Sequence, residues 1–516
     1  MRTTKVERVR GVIDILPNAC AISKQIESNL SRCFQSFGYR PIEVPLLEHT
    51  ELYLKKSGED IVARLYEFVY RNRRLCLRPE ITASVVRAYL DNLQGSPLPV
   101  RLYYAGPAFR YERPQKGRYR QFTQIGIELI GASGALADAE VISTACQGLD
   151  SLGFTGYRVV LGHIGVLAKF LDSLQLESRL RSFLLTNMEI LRKEGKPAVE
   201  HRLADIYPAF KLYKGDRQLN QELAVDETRP SKRLTDLFHN MDESEARTAI
   251  LDLLNSMNIE LGGNRDETEI VDRLLAKMKR QEQSTIVKQA LEFMSELGQL
   301  AGEPAQVLQE AKKLLSIYGI DDSGLDQLHE IIHTLEFYNL DKNQISLDLG
   351  LSRGLQYYTG MIFEIYHGNL GDERQLCGGG RYDDLVTTFG GRQDTPATGF
   401  SYGLERLRLA LEVEGKFNST EQLVDVLVVP VSQEDIGYAI AVAQQLRQTG
   451  LRVEMDVRNK SLSSNFQYAN KQEIPFAIVA GSDERRTQEV VLKDMASGSQ
   501  QRMTVTEAAH HLKTKT

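Results

Sequence analysis

The segment Phe109-Arg110-Tyr111-Glu112-Arg113-Pro114-Gln115-Lys116-Gly117-Arg118-Tyr119-Arg120-Gln121-Phe122 sets five cations within eleven residues against one acid, Glu112. Guanidinium forks match pairs of phosphate oxygens, so the stretch suits a triphosphate or a nucleic-acid backbone. A solvated surface hairpin carries similar charge, and composition alone favours that plainer reading. The residues that follow speak against it. With a period of two, Arg120, Phe122, Gln124, Gly126 and Glu128 share one face of a strand, while Ile125, Ile127 and Leu129 share the other. A face offering a cation, a ring, an amide and a carboxylate is costly to bury unless something pairs with it.

Two more segments carry candidate chemistry. Arg353-Gly354-Leu355-Gln356-Tyr357-Tyr358-Thr359-Gly360 combines a cation with adjacent tyrosines, and Cys377-Gly378-Gly379-Gly380-Arg381-Tyr382-Asp383 contains three consecutive glycines. A strand without side chains lets a ligand lie on its backbone. Each feature has an ordinary alternative: a tyrosine facing the core, a glycine turn, a surface ion pair for Arg353. His329 and His333 are spaced four apart on an expected helix. No third ligand accompanies them, so no metal site built from protein alone is expected.

The elements that must hold these residues follow from periodicity. Ile22, Ile26, Leu30, Cys33, Phe34 and Phe37 recur at helical spacing, with Gly38 at the stop. Tyr39–Leu47 is expected to be extended, and Pro41 and Pro45 suggest an edge or interface strand. Val100–Glu112 and Tyr119–Ile130 read as two long strands joined by the polar loop, an antiparallel hairpin. From about Gly153 to Asn339 the pattern turns mainly helical, for example over Glu269–Arg280, Val307–Leu315 and Leu328–Leu335. Strand patterns return at Ser346–Leu349 and Met361–Tyr366, then a helix at Leu404–Leu411 and a polar linker at Glu414–Gln422. Beyond it Val424–Val431, Ile436–Arg447, Arg452–Val457, Ser463–Asn470, Phe476–Ala480 and Glu489–Asp494 alternate strand and helix, a compact α/β domain.

The whole chain fits these parts. Its 516 residues allow several domains, and 42% hydrophobic with 26% charged residues is ordinary for a globular protein. A net charge of −6 argues against coating nucleic acid indiscriminately, but not against one local basic patch. The five cysteines, Cys20, Cys33, Cys76, Cys146 and Cys377, form no CxxC pair and point to reduced thiols. No apolar run approaches the roughly 18 residues that span a bilayer, and the basic start, Met1–Gly11, leads into no signal-type apolar region. A cytoplasmic location is expected.

Phe109-Arg110-x-Glu112 resembles motif 2 of the class II aminoacyl-tRNA synthetases, and Gly399-Phe400-Ser401-Tyr402-Gly403-Leu404-Glu405-Arg406-Leu407 resembles their motif 3. The strand ending at Pro45 is the candidate for motif 1. The Arg353–Gly360 and Cys377–Asp383 segments, together with Arg78-Pro79-Glu80-Ile81-Thr82, resemble the signatures of the histidine-specific members. Four such segments in order are specific where motif 3 alone is weak. The resemblance spans the chain except the middle of the helical region. It implies an α+β fold: an antiparallel sheet core with flanking helices in 1–152 and 339–413, a helical insertion in 153–338, and an anticodon-binding α/β domain in 424–516.

The resemblance also implies an activity, ATP-dependent ligation of L-histidine to tRNA(His) through a histidyl-adenylate, with release of AMP and diphosphate. ATP with Mg²⁺ is the implied co-substrate and a homodimer the implied assembly. Arg110 and Arg353 would act on the α-phosphate as the catalytic pair. Arg110, Glu112, Arg118, Phe122 and Arg406 would bind ATP, with Phe122 stacked on the adenine. Glu80, Thr82 and Gln124 would hold the amino acid's ammonium end, with Ile81 beside them in the histidine-binding set, and Glu128 and Tyr358 its imidazole beside Tyr357 and Tyr382. Arg110 and Arg353 would also border the bound histidine. Arg113, Gln115 and Lys116 would meet the tRNA acceptor end. Asn465-Phe466-Gln467-Tyr468-Ala469-Asn470-Lys471, on the second helix of the last domain, would suit unstacked bases.

Three positions depart from the pattern: Gln356 where a small or acidic residue is usual, Asp384 in place of glycine, and Ile81 in place of glycine or leucine. The insertion is also enlarged between about Leu191 and Phe293. The rival reading is a silent paralogue that senses histidine as a regulatory subunit. Such relatives lack the last domain and lose the ATP arginines, whereas this chain retains Arg110, Arg118, Arg353, Arg406 and residues 424–516. A pure RNA-binding role on the same fold is the second rival.

Overall fold

The computed structural model describes residues 6–55, 59–115, 117–206, 248, 285–352, 357–368, 375–416 and 424–515. Lys116, Arg353 to Gln356, the helical pattern of Glu269–Arg280 and most of the enlarged insertion lie outside the described residues. The chain divides into two compact units. The larger holds nearly everything up to the end of helix Leu404–Val413, and the smaller holds the C-terminal strands and helices.

Among its described residues the larger unit contains twelve strands: β1 (Arg40–Pro41), β2 (Leu47–His49), β3 (Tyr66–Tyr70), β4 (Arg73–Leu77), β5 (Val100–Phe109), β6 (Gln121–Ile130), β7 (Tyr157–His163), β8 (Ala301–Gly302), β9 (Ile345–Asp348), β10 (Met361–His367), β11 (Gln375–Arg381) and β12 (Ala397–Gly403). Nine of them form one sheet in the order β1-β5-β6-β12-β11-β10-β7-β9-β8, while β2, β4 and β3 form a small sheet beside it. The β5–β6 hairpin expected from the sequence runs antiparallel over ten residue pairs, from Val100 opposite Ile130 to Phe109 opposite Gln121. Only the β1–β5 and β7–β9 pairs in this large sheet are parallel.

Alternation along β6 explains why the sheet has two unlike faces. Ile125, Ile127 and Leu129 are fully or almost fully buried, packed with Ile26, Leu30 and Phe34 of helix Pro17–Ser36 and Val141, Ile142 and Leu149 of helix Ala135–Ser151. That apolar burial contributes roughly 25 cal/mol per Å² and fixes the register, because a slip by one residue would turn the charged set into the core. The opposite face is left for Phe122, Gln124 and Glu128. Helix Thr82–Asn92 covers one end of that face, seating Ile81 and Val85 against Leu102 and Tyr104 of β5.

Two expectations differ from the structure. The extended stretch Tyr39–Leu47 supplies only the two-residue edge strand β1 and the start of β2, since its prolines cannot donate to a ladder. The stretch from residue 153 opens with β7, an interior strand between β10 and β9, before helices Ile164–Ser173, Ser178–Thr186, Met188–Glu194 and Lys196–Ile206 follow. Helices Pro304–Tyr318 and Ser323–Phe337 match the later periodic runs.

The smaller unit is a five-stranded sheet ordered β14-β13-β15-β16-β17, from β13 (Val426–Pro430), β14 (Val453–Met455), β15 (Phe476–Ala480), β16 (Glu489–Asp494) and β17 (Gln500–Thr504). Helices Ile436–Gln448 and Val505–Lys515 pack on it through Ala439, Val442, Ala443, Leu446, Ala508 and Leu512. Helix Leu462–Lys471 packs through Ala469 against Leu427 and Val429 of β13. No helix among the described residues is long and apolar enough to cross a membrane.

Candidate active site

The polar face of β6 floors a cleft of about 260 Å³. From the sequence-derived set, Arg110, Glu112, Arg118, Phe122 and Arg406 line one part of it, and Glu80, Thr82, Gln124, Tyr357, Tyr358 and Tyr382 the rest. These residues come from the β5–β6 hairpin, the start of helix Thr82–Asn92, the turn before β10, the residue after β11 and the helix after β12. Segments 277 residues apart in sequence are therefore neighbours, as in Gln124, whose Nε2 donates to Ser401 Oγ at 3.0 Å.

In the basic part, Arg110 donates from Nε to the Pro79 carbonyl oxygen at 2.8 Å and stands over the Phe122 ring, 5.2 Å from its centre. The carbonyl fixes the guanidinium, and the ring offers a flat apolar surface next to a cation. Glu112 accepts from Arg118 Nε and, at 3.3 Å, from Arg64 Nη1. Burial pushes the Glu112 carboxyl up, but Arg118, Arg110 and Arg64 together hold it below its ordinary range. Arg406 Nη1 donates to the Gln375 carbonyl oxygen at 3.0 Å. Glu405, one position earlier, caps the Thr123 N–H with both carboxylate oxygens at 3.0 Å and lines the cleft.

The other part is built around buried carboxyls. Glu80 accepts from the Ala83 N–H at 3.1 Å at the start of helix Thr82–Asn92, and burial raises its carboxyl above the usual range. Glu128 accepts from Thr82 Oγ1 at 2.6 Å, Tyr104 OH at 3.1 Å and Tyr382 OH. Burial raises the Glu128 carboxyl to about 8, with the three hydroxyls opposing the shift in part. The rings of Tyr357 and Tyr358 lie 4.9 Å apart, and those of Tyr357 and Tyr382 5.6 Å apart. Gln124 Oε1 is buried with no partner among the described residues, an acceptor left without a donor in a residue that lines the cleft.

Glycines keep the floor open. Gly380, Gly399 and Glu128 stand side by side across β11, β12 and β6. A Cβ on Gly399 would fall 2.0 Å from Glu128 Oε2, and one on Gly379 would fall 2.3 Å from the Gly399 carbonyl oxygen.

Two sequence-derived site residues stand elsewhere. Ile81 does not line the cleft; it is buried with Val85, Leu102 and Tyr104, because its apolar side chain packs where helix Thr82–Asn92 meets β5. Glu128 lies just behind the lining, and Thr82 and Tyr382, which do line it, direct their hydroxyls at its carboxylate. Arg113 and Gln115 are exposed at the hairpin tip, where Gln115 bridges Arg118. Asp384 adopts φ −82° and ψ −5°, a conformation open to any residue, so glycine is not required there. Sequence reasoning did not single out Tyr104, Gln375, Ser401 or Glu405. Of these, only Ser401 and Glu405 carried a signal, their place inside the motif 3 resemblance.

An arginine-lined cleft on an antiparallel sheet, closed by a strand-to-helix arginine, defines the core of a class II aminoacyl-tRNA synthetase. A family model described as histidyl-tRNA synthetase matches residues 11–261 and 249–407, and one described as anticodon binding domain matches 425–515. The chain belongs to the histidyl-tRNA synthetase family. It is 32% identical to the histidine–tRNA ligase of Methanocaldococcus jannaschii over 96% of both chains. It is 30% identical to that of Pyrococcus furiosus over 98% of this chain and 99% of the relative. Among solved structures, the fold is similar to histidyl-tRNA synthetase from Nostoc sp., with TM-score 0.66 and 22% identity over all of both chains. It is likewise similar to the apo S. aureus enzyme, with TM-score 0.60 and 24% identity over 99% of this chain and 100% of that one.

Proposed function

We propose that the chain activates L-histidine with ATP to a histidyl-adenylate and transfers it to tRNA(His), releasing diphosphate and AMP. The observation that carries this reading is one cleft whose two parts differ in chemistry: three arginines beside a phenylalanine ring, and a hydroxyl-lined slot over a buried carboxyl. The substrate carboxylate is already ionised near neutral pH, so the reaction needs no general base. It needs two anions brought together and charge on an in-line phosphoryl transition state stabilised. Arg110, held by the Pro79 carbonyl, supplies a fixed cation for the α-phosphate, and Phe122 a face for the adenine. Arg353 is the proposed second cation on that phosphate.

Gln124 Oε1 and Glu80 accept from the substrate ammonium, and Tyr358 with the Glu128 cradle reads the imidazole, which offers a donor and an acceptor when neutral. Among the described residues no group of three or more His, Cys, Asp or Glu side chains could hold a metal alone. Mg²⁺ would be carried on the triphosphate and would neutralise phosphate charge, with Glu405 and Glu112 as the carboxylates lining the basic part, each engaged by a protein donor until the ion displaces it. Residues 424–516 would bind the anticodon, and the smaller unit's match to an anticodon-binding model supports that role.

The competing reading is a silent histidine sensor. The gathering of Arg110, Arg118 and Arg406 in one cleft favours the enzyme. The test is histidine-dependent exchange between ATP and diphosphate, followed by charging of tRNA(His). Histidine binding with no exchange would establish the sensor instead.

A further inference from the structure

Behind the amino-acid end of the cleft lies a polar cluster to which the proposed mechanism gives no role. Arg381, 3% exposed, ends β11, and Asp138, fully buried, lies in helix Ala135–Ser151. Arg381 Nη2 is 2.7 Å from Asp138 Oδ1, and its Nε donates to the same carboxylate at 3.0 and 3.2 Å. Its Nη1 reaches the Ala132 carbonyl oxygen at 3.1 Å and Asp383 Oδ1 at 2.9 Å. Asp383 in turn accepts from the Ala397 N–H at 3.1 Å and donates its own N–H to Thr359 Oγ1 at 3.0 Å. The Thr359 N–H donates to the Arg381 carbonyl oxygen at 2.8 Å. Arg381 and Asp383 together thus join the exits of β6 and β11, the start of β12 and the turn that carries Tyr358.

The pair also extends outward. Gln327, on helix Ser323–Phe337, donates from Nε2 to Asp138 Oδ2 at 3.1 Å. Its Oε1 lies 3.1 Å from His163 Nε2, at the end of β7. Because the carboxylate can only accept, it orients the Gln327 amide, which in turn assigns the His163 proton to Nε2.

We propose that Arg381, anchored by Asp138, is a positioning residue for amino-acid selection, and that Gln327 links this anchor to the helical insertion. The inference rests on the reading of the cleft as a histidine-activating site. Tyr382 directly follows Arg381, and Tyr358 directly precedes Thr359, so the two pocket tyrosines hang from the two ends of the hydrogen-bonded knot. Asp138 and Arg381 do not themselves line the cleft, and the lining residues they carry, Tyr382 and Tyr358, lie on its amino-acid side. Their effect is therefore confined to the amino-acid side.

The test is the exchange reaction on the full chain, with histidine and ATP varied separately. Asp138→Asn keeps the shape and removes the charge that holds Arg381. The histidine KM should rise at least about tenfold while the ATP KM stays within about twofold, as misplacing pocket groups by a fraction of an ångström implies. Gln327→Leu, which leaves the ion pair intact, should raise the histidine KM by a smaller factor, and Arg381→Lys should not rescue selection, since a lysine lacks the fork. Equal changes in both KM values, or a fall in kcat and melting temperature with unchanged histidine KM, would show a merely structural pair and overturn the inference. Should Asp138→Asn fail to fold, an unchanged histidine KM in Gln327→Leu overturns the link to the insertion, and an unchanged one in Arg381→Lys overturns the positioning role. Wild-type protein that supports no exchange would instead reject the underlying function.

Discussion

Gly399 faces Glu128 across neighbouring strands so closely that any side chain on residue 399 would meet the carboxylate at 2.0 Å. Neither partner can retreat. Three hydroxyls hold the carboxylate, and the Ile127 carbonyl oxygen, 2.5 Å from the same Cβ position, belongs to the strand ladder. Gly399→Ala is expected to cost about 1–3 kcal/mol of stability in urea denaturation, the usual range for overpacking. The same variant should raise the histidine KM for exchange about tenfold or more, since 1.4 kcal/mol of lost binding is a factor of ten. An unchanged KM would separate the floor of the slot from the substrate.

Arg110 is fixed by the Pro79 carbonyl and by the Phe122 ring. Arg110→Ala should lower kcat for exchange by about 10²–10³, the scale of losing one preorganised group at developing charge. Arg110→Lys should recover little of it, because an ammonium cannot both hold the carbonyl and fork a phosphate. Circular dichroism matching the wild type would place the loss in chemistry and not in folding.

Burial raises the Glu128 carboxyl from 4.5 to about 8. The folded state therefore binds a proton that the unfolded state has already released. Stability from this group is complete below about 4.5 and is lost as pH rises through about 8. Glu128→Gln removes the titration. Between about pH 5 and pH 8 the variant's unfolding free energy should fall less steeply than the wild type's, by a difference on the order of a few kcal/mol. Parallel curves in urea titrations at several pH values would show that Glu128 is ionised when folded.

The smaller unit has its own core of Val426, Val428, Ala443, Leu446, Ile478 and Leu512. A chain ending after residue 416 should keep ATP–diphosphate exchange within about threefold of wild type. Its KM for tRNA in charging should rise about tenfold or more, given roughly 1–3 kcal/mol for each base stacked on protein. Charging by the shortened chain at normal KM would remove the anticodon role.

Much of this was legible in the residues because the signal was local and periodic. The two faces of β6, the hairpin before it, the later helices and the strands Phe476–Ala480 and Glu489–Asp494 each follow from alternation or helical spacing over a short window. What was missed depends on partners distant in sequence. Strand β7 joins the sheet only because β10 and β9 flank it, and its short apolar run does not distinguish it from the helices that follow. Tyr104 becomes part of the site only through Glu128, 24 residues on, and Ile81 leaves it because a neighbouring helix needs an apolar seat.

The grip of Arg118 on Glu112 has a consequence for which molecules can occupy the cleft. A cation already satisfied by an internal anion yields only to a visitor carrying more negative charge than a single carboxylate. Acetate or a nucleoside without its polyphosphate tail would have to break that tie for little return. On the proposed function, Glu112 is thus an internal competitor for Arg118 that a polyphosphate would displace more readily than a singly charged anion.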